Sequence, residues 1–190
     1  LVKRGGLAYP ALRGANQLLN AAAVMTVLDS LRDRVPVSMQ AIREGLMLVD
    51  APGRFQTLAG RPVVVLDVAH NPQAAGVLAE NLGNMGFHPE TWAVFGMLKD
   101  KDVEGVVALM KNRVDHWLLA ALPAPRGLGA EELAGRMRAA GIEGDIRYHA
   151  SPKEAYVAAQ QSAQEGDRIV VFGSFMTVAD VLAAVKAARH

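Results

Sequence analysis

Three polar side chains with complementary chemistry lie within five residues of one another, in the segment Asp67-Val-Ala-His-Asn71. A carboxylate accepts hydrogen bonds, an imidazole can take up or release a proton near neutral pH, and an amide can do both at once. The plainer alternative is a capped helix with a surface histidine. Because Asp67, His70 and Asn71 cluster in a single turn, we favour a ligand-binding site there.

Two other turns carry polar residues of the same kind. Residues 96–102 read Gly-Met-Leu-Lys-Asp-Lys-Asp, and residues 172–178 read Phe-Gly-Ser-Phe-Met-Thr-Val. Lys99 and Lys101 suit a phosphate or a carboxylate, but a solvated turn with Asp102 as the N-cap of the next helix is an equal alternative. Ser174 opens a helix, where free N–H groups favour an anion, or it is only an N-cap.

The elements that position these turns alternate between strands and helices. Val63 to Leu66 form a short apolar β-branched run that predicts a buried strand, and Pro72 suits the first position of the helix that follows. The same alternation predicts a Rossmann-like α/β fold, with a mostly parallel sheet and helices on both faces. Strands are predicted over 62–67, 91–96, 115–120, 145–149 and 168–172, and helices over 73–84, 102–112, 130–140, 151–164 and 175–189.

A helical segment precedes this region. Residues 1–13 are predicted to be irregular or a remnant strand, and apolar residues at steps of three and four predict a helix from Gly14 to about Arg34. Ser38 is predicted to cap a second helix through Met47, which makes a helical hairpin. Residues 50–56 are predicted to be a turn and linker. We therefore expect domains at 1–50 and 51–190.

Bulk properties exclude several classes of protein. A net charge of +1 gives no electrostatic case for nucleic acid or an anionic membrane, and no apolar run has membrane-spanning length. The absence of cysteine excludes disulfides and thiolate chemistry and fits a cytoplasmic location. The sequence has no Gly-x-x-x-x-Gly-Lys-Ser/Thr phosphate loop and no Gly-x-Ser-x-Gly elbow. The residues alone therefore support a ligand-binding α/β domain without a particular reaction.

Several motifs, in this order, resemble folylpolyglutamate synthase and bifunctional dihydrofolate synthase, members of the Mur-type amide ligases. They are Asn16-Gln-Leu-Leu-Asn-Ala-Ala, Pro52-Gly-Arg-Phe-Gln, Leu66-Asp-Val-Ala-His-Asn-Pro, Gly96-Met-Leu-Lys-Asp-Lys-Asp and Val171-Phe-Gly-Ser-Phe-Met-Thr-Val. The resemblance implies an ATP-dependent ligase that joins L-glutamate to dihydropteroate or folate through an acyl phosphate. It also implies that residues 1–50 end a truncated central ATP-binding domain. The chain on its own is then expected to be inactive.

The resemblance also implies roles for individual residues. Asn20, Arg54 and Asp67 match nucleotide contacts, while His70 and Ser174 match the site of the incoming glutamate, with His70 also in a catalytic role. Mg²⁺ is implied as a cofactor, with its ligands in the missing amino-terminal part and none here. We expect a cytoplasmic monomer whose partners are ATP, L-glutamate and the pterin substrate. Two alternatives stay open, a peptidoglycan-precursor ligase domain and a non-catalytic α/β ligand-binding module.

Overall fold

The computed structural model describes residues 6–7, 9–12 and 15–188. The chain divides into two compact units, Leu1–Arg54 and Phe55–His190. In the first unit, α1 spans Ala15–Ser30 and α2 spans Met39–Leu48. The Ser38 side chain accepts a hydrogen bond from the Ala41 N–H, so the predicted cap of α2 is confirmed.

The first unit departs from the sequence prediction at the end of α1. The first helix ends at Ser30 rather than near Arg34, because residues 31–35 form turns before Pro36. The described residues among 1–13 have no regular structure. Residues 1–5, 8 and 13, and the predicted helix start at Gly14, lie outside the described residues.

The second unit is an α/β structure, as the alternation predicts. Its described strands are β1 Gln56–Leu58, β2 Val63–Leu66, β3 Thr91–Phe95, β4 His116–Ala120, β5 Ile146–His149 and β6 Arg168–Phe172. Its described helices are α3 Pro72–Gly83, α4 Val103–Met110, α5 Ala130–Ala139, α6 Pro152–Ser162 and α7 Phe175–Ala187, and one turn of 3₁₀ helix, Lys111–Arg113, follows α4. All five predicted strands are confirmed.

The strand order in the sheet is β1-β2-β6-β3-β4-β5. β2, β6, β3, β4 and β5 are parallel, and β1 is antiparallel to β2, with Gln56 paired to Leu66. The prediction of a simple turn and linker over 50–56 is therefore wrong at its end, where Gln56 begins a strand. Gln-Thr-Leu is too short to show a strand pattern, and its pairing with β2 is what makes it a strand.

Alternate residues along the central strands pack on opposite faces of the sheet, as a sheet covered on both sides requires. One face carries α3, α4 and α5 against Val65, Phe95 and Phe172. The other carries α6 and α7 against Leu66, Val94 and Val171. The strand order then brings the carboxyl ends of β2, β6 and β3 side by side, so the three polar turns of the sequence share one edge of the sheet.

Candidate functional site

Asp67 is half-buried at the end of β2 and holds two backbone groups. Its Oδ1 accepts from the Ala69 N–H at 2.8 Å, and its Oδ2 accepts from the Phe55 N–H at 2.9 Å. Phe55 has φ +46°, a strained conformation for a residue other than glycine, and its side chain is buried in the core. Asp67 therefore fixes the strained entry to β1.

His70 lies in the same turn with a defined orientation. Its Nδ1 is 2.9 Å from the Val68 carbonyl oxygen. Because a carbonyl can only accept, this distance assigns a proton to Nδ1 and leaves Nε2 as the acceptor of the neutral ring. The ring centroid lies 6.2 Å from that of Phe175 at the start of α7. His70 thus connects the turn after β2 with the turn after β6.

Asn71 and Pro72 have the predicted helix-start roles. Asn71 Oδ1 accepts from the Ala74 N–H at 2.9 Å, and Pro72 is the first residue of α3. Both predictions are confirmed. The Asn71 side chain is therefore engaged in capping.

Ser174 lies between β6 and α7, and its residue is only 4% exposed. Its Oγ accepts from the Met176 N–H at 3.1 Å, which confirms the N-cap alternative. Because Oγ is the acceptor in this bond, the hydroxyl hydrogen can still be donated to a carboxylate. Capping and ligand binding are therefore compatible at Ser174.

The turn of Ser174 packs closely against the end of β3. Gly173 has φ +106°, and a Cβ on it would come within 2.6 Å of the Gly96 carbonyl oxygen. Thr177 Oγ1 donates to the same oxygen at 2.8 Å. Glycine at 173 is therefore required by both the backbone angle and the close approach. This contact sets the distance between the turns after β6 and β3.

The turn after β3 begins α4 as predicted. Asp102 Oδ1 accepts from the Gly105 N–H at 2.8 Å, which confirms Asp102 as the N-cap. Lys99 is exposed, and Lys101 Nζ lies 3.9 Å from Asp100 Oδ2. Asp100 itself pairs with Arg126 through both carboxylate oxygens. The hydrogen bonds from Arg126 are the main reason that the pKa of Asp100 lies below its ordinary value.

Sequence reasoning missed two arginines that support this turn, Arg126 and Arg136. Arg136 Nε donates to Glu104 Oε1 at 2.7 Å, which raises the pKa of Arg136 and lowers that of Glu104. Its partners are 32 or more residues away in the chain. Such contacts form only when α5 packs beside α4, so local periodicity contains no signal for them.

The remaining predicted site residues, Asn20 and Arg54, belong to the first unit. Asn20 is exposed, and its Nδ2 donates to Gln17 Oε1 at 3.1 Å. The Arg54 side chain is exposed, and its backbone N–H donates to the Ala51 carbonyl at 3.1 Å. The structure thus brings together Asp67, His70 and Ser174 at one sheet edge, and it describes Asn20 and Arg54 only within their own unit.

Two open pockets of the second unit lie away from this edge. One is bounded by Arg61, Phe87, His88 and Glu165, and the other lies between the β1–β2 hairpin and helices α6 and α7. None of the polar side chains described above lines either pocket. We assign the site from the convergence of side chains at the strand ends, where open α/β sheets bind ligands.

Residues 6–7, 9–12 and 15–188 contain neither a metal-binding cluster nor a membrane-spanning helix. Within these ranges, no group of three or more histidine and acidic side chains is arranged to hold a metal ion. In the same part of the chain, no helix combines the length and apolar character needed to cross a bilayer.

Comparison with known proteins decides the family. The sequence profile of the family described as "Mur ligase, glutamate ligase domain" matches residues 53–175. The chain belongs to this family. The matched range contains the turns after β2, β3 and β6 and ends one residue after Ser174, so the candidate site lies within the glutamate ligase domain.

The chain is also similar to whole enzymes. It is 38% identical over 170 residues to the dihydrofolate synthase/folylpolyglutamate synthase of Escherichia coli (strain K12). The aligned residues cover 90% of this chain and 38% of that relative. It matches E. coli FolC solved with DHPP and ADP, with a TM-score of 0.86, 36% identity, and coverage of 98% of this chain and 42% of that one.

A further solved relative is a bifunctional folylpolyglutamate synthase/dihydrofolate synthase with Mn, AMPPNP and L-glutamate bound. Its TM-score is 0.82 at 39% identity, with coverage of 95% of this chain and 41% of that one. This chain therefore spans about two fifths of the length of these relatives.

Proposed function

We propose that this chain is the carboxyl-terminal, glutamate ligase part of an ATP-dependent ligase that adds L-glutamate to dihydropteroate or folates. The observation that carries the proposal is the convergence of Asp67, His70 and Ser174 at one sheet edge, within the residues matched by the family profile. The relatives solved with ADP, with DHPP and with AMPPNP and L-glutamate support these ligand classes.

The proposed reaction proceeds in two steps. ATP phosphorylates the carboxylate of the pteroate or folate, and ADP leaves. The amine of glutamate then attacks the acyl carbon and the amide bond forms. The C–O bond between the acyl carbon and the phosphate breaks, and inorganic phosphate leaves. Phosphoryl transfer depends mainly on positioning and charge stabilisation, so the protein's task is to hold the two substrates in line.

Each candidate residue suits one part of this chemistry. With its proton on Nδ1, the His70 ring presents Nε2 as an acceptor, which can take a hydrogen bond or a proton from the attacking amine. Ser174 can donate its hydroxyl hydrogen to a glutamate carboxylate at the start of α7. Asp67 can accept from a ribose hydroxyl or an amino group, and the Arg54 guanidinium can form paired hydrogen bonds with phosphate. Asn20 is proposed as a further nucleotide contact.

Mg²⁺ fits the reaction but does not fit this part of the chain as a bound ion. The described residues contain no cluster of acidic or histidine ligands. We therefore propose that the amino-terminal part present in the relatives supplies the metal ligands and the phosphate loop. When bound, the metal would offset the phosphate charge. We also propose a monomer, acting in the cytoplasm where ATP and folates are available.

The test uses the full-length protein that carries this chain. Phosphate release is measured with ATP and L-glutamate, and either dihydropteroate or a UDP-sugar peptide is supplied as the acceptor. Release with dihydropteroate or folate supports the proposal, and release only with the UDP-sugar peptide would assign the chain to a peptidoglycan-precursor ligase. Release with neither would leave a non-catalytic binding module. The 190-residue chain alone is expected to release none, since its sequence has no phosphate loop.

A further inference from the structure

The segment 97–102 after β3, which we call the lysine turn, is tied by its backbone to residues 126–128. The Lys99 N–H donates to the Arg126 carbonyl at 2.9 Å, and the Leu128 N–H donates to the Met97 carbonyl at 3.1 Å. Leu98 and Gly127 form an isolated antiparallel bridge between these bonds. The lysine turn is therefore a fixed structure rather than a loosely solvated loop.

One guanidinium holds the carbonyl groups of both lysines. Arg136, on α5, donates from Nη1 to the Lys99 oxygen at 3.3 Å and from Nη2 to the Lys101 oxygen at 3.2 Å. The same group also pairs with Glu104 in the first turn of α4. The rigid, planar fork of arginine allows one side chain to serve these acceptors, whereas the single ammonium of lysine lacks that geometry. Arg136 therefore sets the path of the backbone that carries the two lysines.

A second arginine, Arg126, pairs with an acidic residue of the lysine turn. Arg126 engages both oxygens of Asp100, the only acidic residue between the two lysines. Within the described part of the chain, Lys99 forms no ion pair. The positive charge of Lys99 is thus available to a ligand.

The lysine turn adjoins the turn of Ser174. β3 and β6 are paired neighbours, with Phe95 opposite Phe172, and the Gly96 N–H continues this pairing to the Phe172 carbonyl at 3.4 Å. Thr177 closes the contact from α7 onto the Gly96 carbonyl. Positive charge from the lysine turn and the hydroxyl of Ser174 are therefore presented at neighbouring strand ends, an arrangement suited to a carboxylate ligand.

We propose that Arg136 is a positioning residue, assisted by Arg126, that holds Lys99 and Lys101 where they bind the carboxylates of the incoming glutamate beside Ser174. This inference rests on the proposed function, since it assigns the glutamate of that reaction to this part of the edge. Arg136 itself does not contact substrate. It acts through the backbone of the lysine turn.

The test compares Arg136→Gln with Arg138→Gln in the full-length protein. Arg138 lies on the same helix but bonds to the Tyr148 hydroxyl, outside the lysine turn. Arg136→Gln is expected to raise the KM for glutamate about tenfold, the size expected for loss of a charge-assisted hydrogen bond. The KM for ATP should stay near that of the Arg138→Gln control, whereas the melting temperature should fall somewhat below it because Arg136 also pairs with Glu104. Arg136→Lys should show the same rise in KM, because it restores the charge without the fork.

Several outcomes would overturn the inference. They are a lowered melting temperature with an unchanged glutamate KM, or full recovery of the KM in Arg136→Lys. If Arg136→Gln does not fold, Arg126→Gln decides, because that side chain is largely exposed, and its KM for glutamate should rise about two- to fivefold. If the wild-type protein adds no glutamate, the proposed function fails. If it adds glutamate and both variants match it, only the positioning role fails.

Discussion

Polar side chains at the two edges of the sheet form different kinds of hydrogen bond. At the carboxyl edge they accept mainly from backbone N–H groups of the turns and helix starts, and the residues that do so are Asp67, Asn71, Asp102 and Ser174. These bonds make the turns rigid.

At the amino edge the side chains mostly satisfy one another. The Trp92 ring stacks on His116 at 3.8 Å between centroids, and Trp92 Nε1 donates to Asp167 Oδ2 at 3.1 Å. His116 Nε2 lies 3.0 Å from Glu90, and Arg168 Nη2 donates to Thr91 Oγ1 at 2.8 Å. None of Asp67, His70, Ser174, Lys99 and Lys101, the residues of the second unit proposed to bind ligands, lies at this edge. Substitutions at the amino edge should therefore change mainly stability, and substitutions at the carboxyl edge should also change binding.

The largest of these effects is expected at Gly173, where the carboxyl edge combines a positive φ with a close approach of two backbone segments. Gly173→Ala combines a strained positive φ with overlap against the Gly96 carbonyl and the Phe95 ring, so the free energy of unfolding should fall by about 3–5 kcal/mol. Gly144→Ala is the matched control, since φ is +112° there but no atom lies within 4 Å of the added Cβ. Denaturant titration measures both variants. Equal losses would show that the close approach at Gly173 contributes nothing.

The amino edge is tested by Asp167→Ala. Asp167 is 3% exposed, and its Oδ2 accepts from Trp92 Nε1 and the Gln164 N–H, so removal leaves two donors unsatisfied. The expected loss is about 2–4 kcal/mol of unfolding free energy, with the KM values for ATP and glutamate unchanged. Asp145→Ala removes exposed pairs with Arg147 and His116 and should cost less than about 1 kcal/mol. A raised KM in Asp167→Ala would contradict the division between the two edges.

Two substitutions test the binding roles at the carboxyl edge of the full-length protein. Asp67→Ala should weaken ATP binding about ten- to a hundredfold, the loss of a hydrogen bond to a charged group, and Ser174→Ala should raise the glutamate requirement by a similar factor. Ser151→Ala removes the equivalent cap of α6 and should cost about 1 kcal/mol of stability only. If Ser174→Ala and Asp67→Ala behave like Ser151→Ala in steady-state titrations, both residues have only structural roles.

The smallest effect concerns His149 at the carboxyl end of β5. Burial lowers the pKa of His149 below its ordinary value of 6.5, with Arg147 adding to the shift and Glu154 opposing it. The fold therefore favours the neutral ring, and this part of the stability is complete above pH 6.5 and decreases as the pH falls below it. His149→Gln should flatten the pH dependence of the unfolding free energy on the acid side. Identical acid slopes in variant and wild type would refute this.

Most of the fold could be predicted because its signals are local. Val63 to Leu66 and the other predicted strands are apolar runs long enough to show their pattern, and the helix starts at Asn71, Asp102 and Ser174 follow from capping residues whose bonds reach only two or three positions along the chain. β1 was missed because its three residues become a strand only by pairing with β2.

Some features of the candidate site likewise follow from local sequence, and others follow from long-range packing. The sequence alone determined which residues end strands and begin helices, because these properties depend on neighbours within one or two turns of chain. It therefore also determined that Asp67, Lys99 and Ser174 follow strand ends. The tertiary structure decided that β6 lies between β2 and β3, which places the three turns at adjacent positions. It also decided that Arg136 reaches Lys99 and Lys101, because contacts across more than thirty residues exist only after the helices pack on the sheet.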